Sequence, residues 1–402
     1  GSVNAIINAA EECEMVEDEL LSNVLGQAKA YRAFAHFRLV TLWAPNYIHG
    51  NPTSDLGVPI MLATADPYEG QVRNTVSEVY AQIEKDLDEA MAHFENASGR
   101  DDNSHIGIEV AQGLAARVAL TKGDWAKAAS MANAAREEYS LMDESEYKSG
   151  FNTFEGTEWM WGGRVVMDQT TYYRAFFYYI GTNFNGTQNR TNPKIINKKL
   201  YELIPDTDYR KDMWDEFAPN TVDGFEADEN YETEEEWLAA ASAFRGKYGM
   251  SSRFALHPYH SVKFLNKNSG SIDPDDVLYM RVSEMYLIEA EALAQSGQDG
   301  DAADVLYELV SARDDAYELS TNTGEALLDE IKIQRRIELW GEGHRWLDML
   351  RWDEELDRTD TGARASLYQK GFQQSKPSEN VNWLWQIPQR EMDANDNMVQ
   401  NP

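Results

Sequence analysis

The chain has 402 residues, of which 42% are hydrophobic and 26% charged, a balance that allows a sizeable folded core and excludes a chain disordered throughout. Acidic residues outnumber basic ones 69 to 36, and the resulting net charge of −33 repels phosphate backbones, so nucleic acid is excluded as a partner. A single cysteine, Cys13, rules out an internal disulfide and a cysteine-based zinc site.

In chain order, apolar residues from Val16 through Leu20, Val24, Ala28, Tyr31, Phe34 or Ala35, Leu39 and Leu42 recur at helical spacing and predict a long amphipathic helix. Pro45, Asn46, Gly50, Pro52 and Gly57 end it in a long exposed loop. Thr75-Val76-Ser77-Glu78 fits a capping box, and the stripe Val76, Val79, Ile83, Leu87, Met91, Phe94 predicts a second helix. An alanine-rich segment from Ile108 to Leu120 breaks at Gly123-Asp124 and resumes from Trp125 to about Tyr139 as a helical hairpin. The pattern returns at 289–313, with Gly297 as the turn, and a last long helix is expected from Glu325 to Trp340. Small residues where two helices meet, with a glycine between them, resemble tetratricopeptide repeats without a sustained 34-residue period.

The middle has no helical period. Eleven of the 34 residues from Phe151 to Phe184 are aromatic, about three times the chain average, and breakers from Gly181 to Pro274 predict short strands and long loops. The expected architecture is mostly α. It has a tetratricopeptide-like helical-pair scaffold at 12–140 and 276–352, a loop-rich, aromatic-rich elaboration carrying short strands at 141–275, and a C-terminal segment at 353–402, all in one domain.

The chemistry in the sequence points away from catalysis. Nucleophile-elbow, zinc-protease, phosphate-loop and dinucleotide fingerprints are all missing from it. Asp393 to Asn397 begins like a calcium loop but has Met398 at the glycine position. His257 and His260 have metal-like spacing without a third ligand and read as exposed surface, so no metal and no cofactor is expected. A pair of glycosidase carboxylates is defined in space and stays open at this level.

Aromatic rings beside amides and carboxylates suit a sugar, because its C–H faces stack and its hydroxyls find partners. Trp159 and Trp161 alternate about Met160 and read as packing. The ligand-binding candidates are Trp43, Asn46 and Tyr47 at the mouth of the first loop, with Tyr172, Tyr173, Trp214, Tyr231 and Trp237 in polar, breaker-rich surroundings. In the string Arg335 to Trp352, Arg345 with Asp348 and Asp348 with Arg351 are placed to pair on one helix face over an inward Trp346 and Leu350. His344 reads as structural.

Three stretches carry a family resemblance. Ala28-Lys29-Ala30-Tyr31-Arg32-Ala33-Phe34 with Leu56-Gly57-Val58-Pro59, the Arg335-Arg336-Ile337-Glu338-Leu339 and Gly343-His344-Arg345-Trp346-Leu347-Asp348 to Arg351-Trp352 string, and Ile387-Pro388 through Gln400-Asn401-Pro402 resemble the SusD/RagB-like proteins of Bacteroidetes. Gln334 and Trp340-Gly341 depart from the commoner family residues. The resemblance implies an outer-membrane, surface-exposed nutrient-binding lipoprotein that captures an oligosaccharide, or in RagB-like members a peptide, and passes it to a SusC-like TonB-dependent transporter. It also implies an N-terminal lipidated cysteine. Cys13 lies too deep to be that residue, and Gly1-Ser2 has the look of a cloning remnant, so the anchor is expected on a segment outside this sequence.

Overall fold

The computed structural model describes residues 1–13, 18–63, 69–363 and 373–402. The helical first part comprises α1 (Ser2–Glu11), α2 (Asp18–Trp43), α3 (Val76–Phe94), α4 (Ile108–Lys122), α5 (Trp125–Arg136) and the single turn α6 (Glu144–Tyr147). The middle carries β1 (Trp159–Gly163), α7 (Phe176–Ile180), α8 (Thr187–Thr191), α9 (Lys198–Tyr201), β2 (Trp214–Asp215), α10 (Glu234–Lys247) and β3 (His260–Ser261). The last part runs β4 (Val277–Arg281), α11 (Val282–Gln295), α12 (Asp299–Ser311), α13 (Glu325–Glu338), α14 (Arg345–Trp352), β5 (Leu356–Asp357), β6 (Gln374–Ser375) and α15 (Gln389–Ala394). The strands form three antiparallel pairs, β1 with β4, β2 with β3 and β5 with β6.

The expected capping box at Thr75 and Glu78 is formed and starts α3. Gly123 ends α4 in the left-handed region at φ 75°, a conformation that costs glycine nothing, and Asp124 then accepts from Lys127 N to start α5. Helices pack in antiparallel neighbours, α2 on α3 and α4 on α5, with α11 lying against both α5 and α12 and crossed by α13. Alanine at 115, 116, 119, 128, 132 and 292 lets those axes approach, and all six are buried in one core.

Two expectations for this part are corrected. The buried face of α2 is Leu25, Ala28, Ala33, Phe37 and Val40, whereas Leu20, Val24 and Leu39 from the predicted stripe are exposed. The helix is enclosed by α1, α3 and the Trp161 ring, which meets Tyr31 and Phe34 edge-on, so no single stripe describes it. Trp159 and Trp161 are both buried as expected, but Met160 is buried as well, because β1 is covered on both faces.

The elaboration is fastened to the helices by charge. Arg210, Lys263, Arg281 and Arg313 are all buried against Glu158, Asp208, Glu338 and Glu342, four cations against four anions. Glu338 is the hub. Its Oε1 accepts from Arg281 Nη1 at 2.6 Å and its Oε2 from Arg210 Nη1 at 2.9 Å, with Arg313 alongside. Burial alone would raise this carboxyl, but Arg313, Arg281 and Arg210 hold it well below the usual carboxylate range. Gly341, at φ 79°, is required here twice over, since a Cβ would also stand 2.6 Å from the Phe264 ring.

A second neutral set ties α14 to α11. Asp348 accepts from Arg335 Nε at 2.9 Å and Arg351 Nε at 3.0 Å, and Glu291 accepts from Arg351 Nη2 and the Trp352 indole, both at 2.7 Å. The expected pairing of Arg345 with Asp348 is overturned, because Arg345 reaches out to Glu354 at 2.6 and 2.9 Å while Asp348 turns inward to Arg335. Trp346 and Leu350 are half-buried, the former stacked on Trp383 with centroids 4.5 Å apart.

Candidate ligand-binding groove

The segment after β2 folds back on itself through side-chain caps. Asp228 Oδ1 accepts from the amides of Asn230 and Tyr231, and Thr233 with Glu236 forms a second capping box that opens α10. This turn brings the Tyr231 hydroxyl to within 2.6 Å of the Phe217 carbonyl, to which it donates. It also sets the Trp237 ring 6.0 Å from Phe225.

Beneath lies a groove of about 530 Å³ between α9, β2 and the end of α10, with Tyr201, Trp214, Phe217 and Tyr248 among its walls. Phe217 is 60% exposed, so this apolar ring is held open to solvent. Asp212, Asp215 and Glu216 contribute acceptors, and Lys148, bonded to Asp212 at 2.6 Å, and Lys247 contribute donors. Burial and the neighbouring Glu216 carboxylate push the Tyr201 phenol upward, so it stays protonated and able to donate. Flat faces bordered by both donors and acceptors can seat a polyol or a short peptide, and the groove carries no arranged nucleophile and base.

The predicted site residues are divided by the structure. Trp214, Tyr231 and Trp237 fall on this one excursion, but Trp214 is 3% exposed and meets Trp340 edge-on at 5.6 Å, so it is floor and cannot offer a face. Tyr231 and Trp237 are half-buried. The first-loop trio disperses. The Trp43 indole donates to Gln386 O at 3.3 Å, Asn46 Oδ1 accepts from its own loop at Ile48 N, and Tyr47 packs edge-on against Tyr80 at 4.9 Å beneath Lys122. Tyr173 is exposed, 5.7 Å from the Tyr178 ring. The side chain of Tyr172 lies outside the described residues.

Sequence reasoning missed Phe217, Tyr201 and Tyr248. Glu216 beside Phe217 and Lys247 beside Tyr248 were available as signals, but only the turn at Asp228 reveals which of the chain's many aromatics is held open. His257 and His260, read as surface, are buried at 6% and 3% exposure, the second with the Phe244 ring at 5.2 Å, because β3 crosses beneath α10.

A model described as the SusD family matches residues 127–402. The chain belongs to the SusD family. A second model, described as starch-binding and associating with outer membrane, matches residues 2–120 of this SusD-family chain. Among solved structures it is similar to a SusD-like carbohydrate binding protein from Bacteroides vulgatus, at 26% identity and a TM-score of 0.76, over 99% of this chain and 81% of that one. A SusD superfamily protein from Bacteroides thetaiotaomicron shares the fold at 24% identity and a TM-score of 0.76, over 100% of this chain and 83% of that one. SusD-like protein P38 of Formosa agariphila is 31% identical over 110 residues, which is 25% of this chain and spans only 21% of that protein's length. No helix among the described residues is long and apolar enough to cross a membrane.

Proposed function

We propose that this SusD-family protein captures an oligosaccharide in the groove between Tyr201, Phe217 and Tyr248 and hands it to a SusC-like TonB-dependent transporter, as a surface-exposed lipoprotein of the outer membrane. The observation that carries the reading is the exposed Phe217 ring beside Tyr248 in a groove bordered by Asp215, Glu216 and Lys247. A ring kept in solvent among carboxylates is poorly explained as core and well suited to a pyranose face. Family membership and the carbohydrate-binding relative from Bacteroides vulgatus support the same ligand class. On this reading the protein binds and delivers, and performs no bond-making or bond-breaking step itself.

Calorimetric titration of the full chain against a panel of neutral oligosaccharides and a matched panel of short peptides tests it. Saturable binding of one glycan, weakened about tenfold by Phe217→Ala with the melting temperature retained, is expected. Binding of peptides alone moves the chain to the peptide-capturing reading, and release of reducing sugar would overturn the non-catalytic one.

A further inference from the structure

A second cleft, of about 660 Å³, opens between the turn joining α13 to α14 and the strand β5. Two of its wall residues keep buried N–H groups with no acceptor. Arg335 is 4% exposed and spends its Nε on Asp348, leaving Nη1 without a partner. The Trp346 indole N–H is likewise buried and unpartnered. Neither group can easily turn away, since Arg335 is held by Asp348 and the Trp346 ring is stacked on Trp383 at an interplanar angle of 26°. An unmet buried donor is costly, and two on wall residues of one cleft call for an acceptor brought from outside.

The wall carboxylates other than the exposed Glu355 are engaged. Asp348 serves both Arg335 and Arg351, and Asp357 serves Lys199 at 2.7 Å and the Thr359 hydroxyl at 2.6 Å. At the rim, Glu354 faces two guanidiniums, Arg345 at 2.6 Å and Arg336 at 3.8 Å, and Glu355 beside it is exposed. A hydroxyl would satisfy one donor while seeking an acceptor of its own. A carboxylate has four lone-pair sites and no donor, which matches two unmet N–H groups beside the Arg336 guanidinium. Leu200, Leu203 and Trp340 supply an apolar wall for the rest of such a molecule.

We infer that this cleft binds a small carboxylate-bearing molecule, through Arg335 Nη1 and the Trp346 indole, with Arg336 at the rim. The carboxylate is that of a sugar acid or of a free peptide C-terminus, and the inference is independent of the groove at Phe217. The test is a ¹H–¹⁵N titration of the full chain at constant ionic strength, with the Trp346 indole resonance assigned through Trp346→Phe. D-glucuronate, N-acetyl-L-alanine and D-glucose are the probes. The expected result is a saturable shift of that resonance with one or both carboxylates and none with glucose, and about tenfold weaker binding in Arg336→Gln, which leaves the Arg335–Asp348 pair intact. The tighter of the two acids identifies the source of the carboxylate. No shift with either acid would overturn the inference, as would an equal response to glucose or an unchanged affinity in Arg336→Gln.

Discussion

Arg73 Nη1 donates to Asn401 Oδ1 at 2.8 Å across 328 positions of sequence. The same guanidinium donates to the carbonyls of Trp43, Leu56, Gly57 and Val399, and Asn401 Nδ2 donates to those of Trp43 and Trp385. Gln400 completes the clasp by exchanging two hydrogen bonds with the Ile387 backbone. The Gln-Asn-Pro ending therefore closes the first long loop onto the C-terminal segment. Asn401→Ala leaves Arg73 short of a buried acceptor and should cost about 1 to 3 kcal/mol, read as a lowered urea midpoint. Hydrogen exchange should also rise first in residues 385–402. An unchanged midpoint with unchanged exchange would show that the clasp holds nothing.

The hub carboxylate gives a larger effect. Glu338→Gln removes the one negative charge shared by three buried guanidiniums, and breaking a buried pair from one side costs about 3 to 5 kcal/mol. Arg345→Gln is the control, since that pair with Glu354 is over a third exposed on the arginine side and should be worth about 1 kcal/mol or less. Equal midpoints in the two variants would refute the distinction.

Acid should find a specific weak point at His260. Burial pushes its imidazole down to about 3, with His257 and Lys194 adding to the effect, and its Nδ1 has no partner. The native state thus holds the ring neutral, while the unfolded chain protonates it near 6.5. Stability from this group is complete above about pH 6.5 and is lost as pH falls from there toward 3. His260→Gln should flatten the slope of stability against pH between about 6.5 and 4, measured by urea midpoints at each pH. A slope equal to that of the parent would assign the acid sensitivity to other groups.

The scaffold was legible because its signals are local. The capping box at Thr75, the glycine stop at Gly123 and the alanine runs each act within a turn or two of helix, where spacing maps directly onto geometry. The buried charge was not. Arg281, Glu158 and Glu338 are brought together from three distant segments, and in a sequence with 69 carboxylates nothing distinguishes these two from solvated ones. The same reason limits the site. Trp214 and Phe217 lie three residues apart in equally acidic surroundings, yet one is floor and the other stands in solvent, because β2 pairs with β3 and ends before Phe217.

Trp237, Phe217 and Tyr47 separate binding from packing most sharply. Trp237 is half-buried on the solvent side of α10, beside an exposed Leu238, and its near ring neighbour is Phe225 on the same excursion. Its removal takes little from the core and leaves the groove walls in place, so Trp237→Ala should leave the melting temperature and affinity nearly unchanged, whereas Phe217→Ala should weaken binding by about tenfold, the scale of one aromatic contact at 1 to 2 kcal/mol. Tyr47 faces the opposite way energetically. Its ring fills the space over the buried Tyr80, with Lys122 Nζ 5.5 Å above it, so Tyr47→Ala should open a partial cavity. A cost of about 2 kcal/mol without loss of affinity is expected there, below the 3 to 5 kcal/mol of a fully buried aromatic. Measuring affinity and urea midpoint on all three variants checks them. If Tyr47→Ala lost binding with its stability intact, the ligand surface would have to move to the first loop, and the groove at Phe217 would lose its claim.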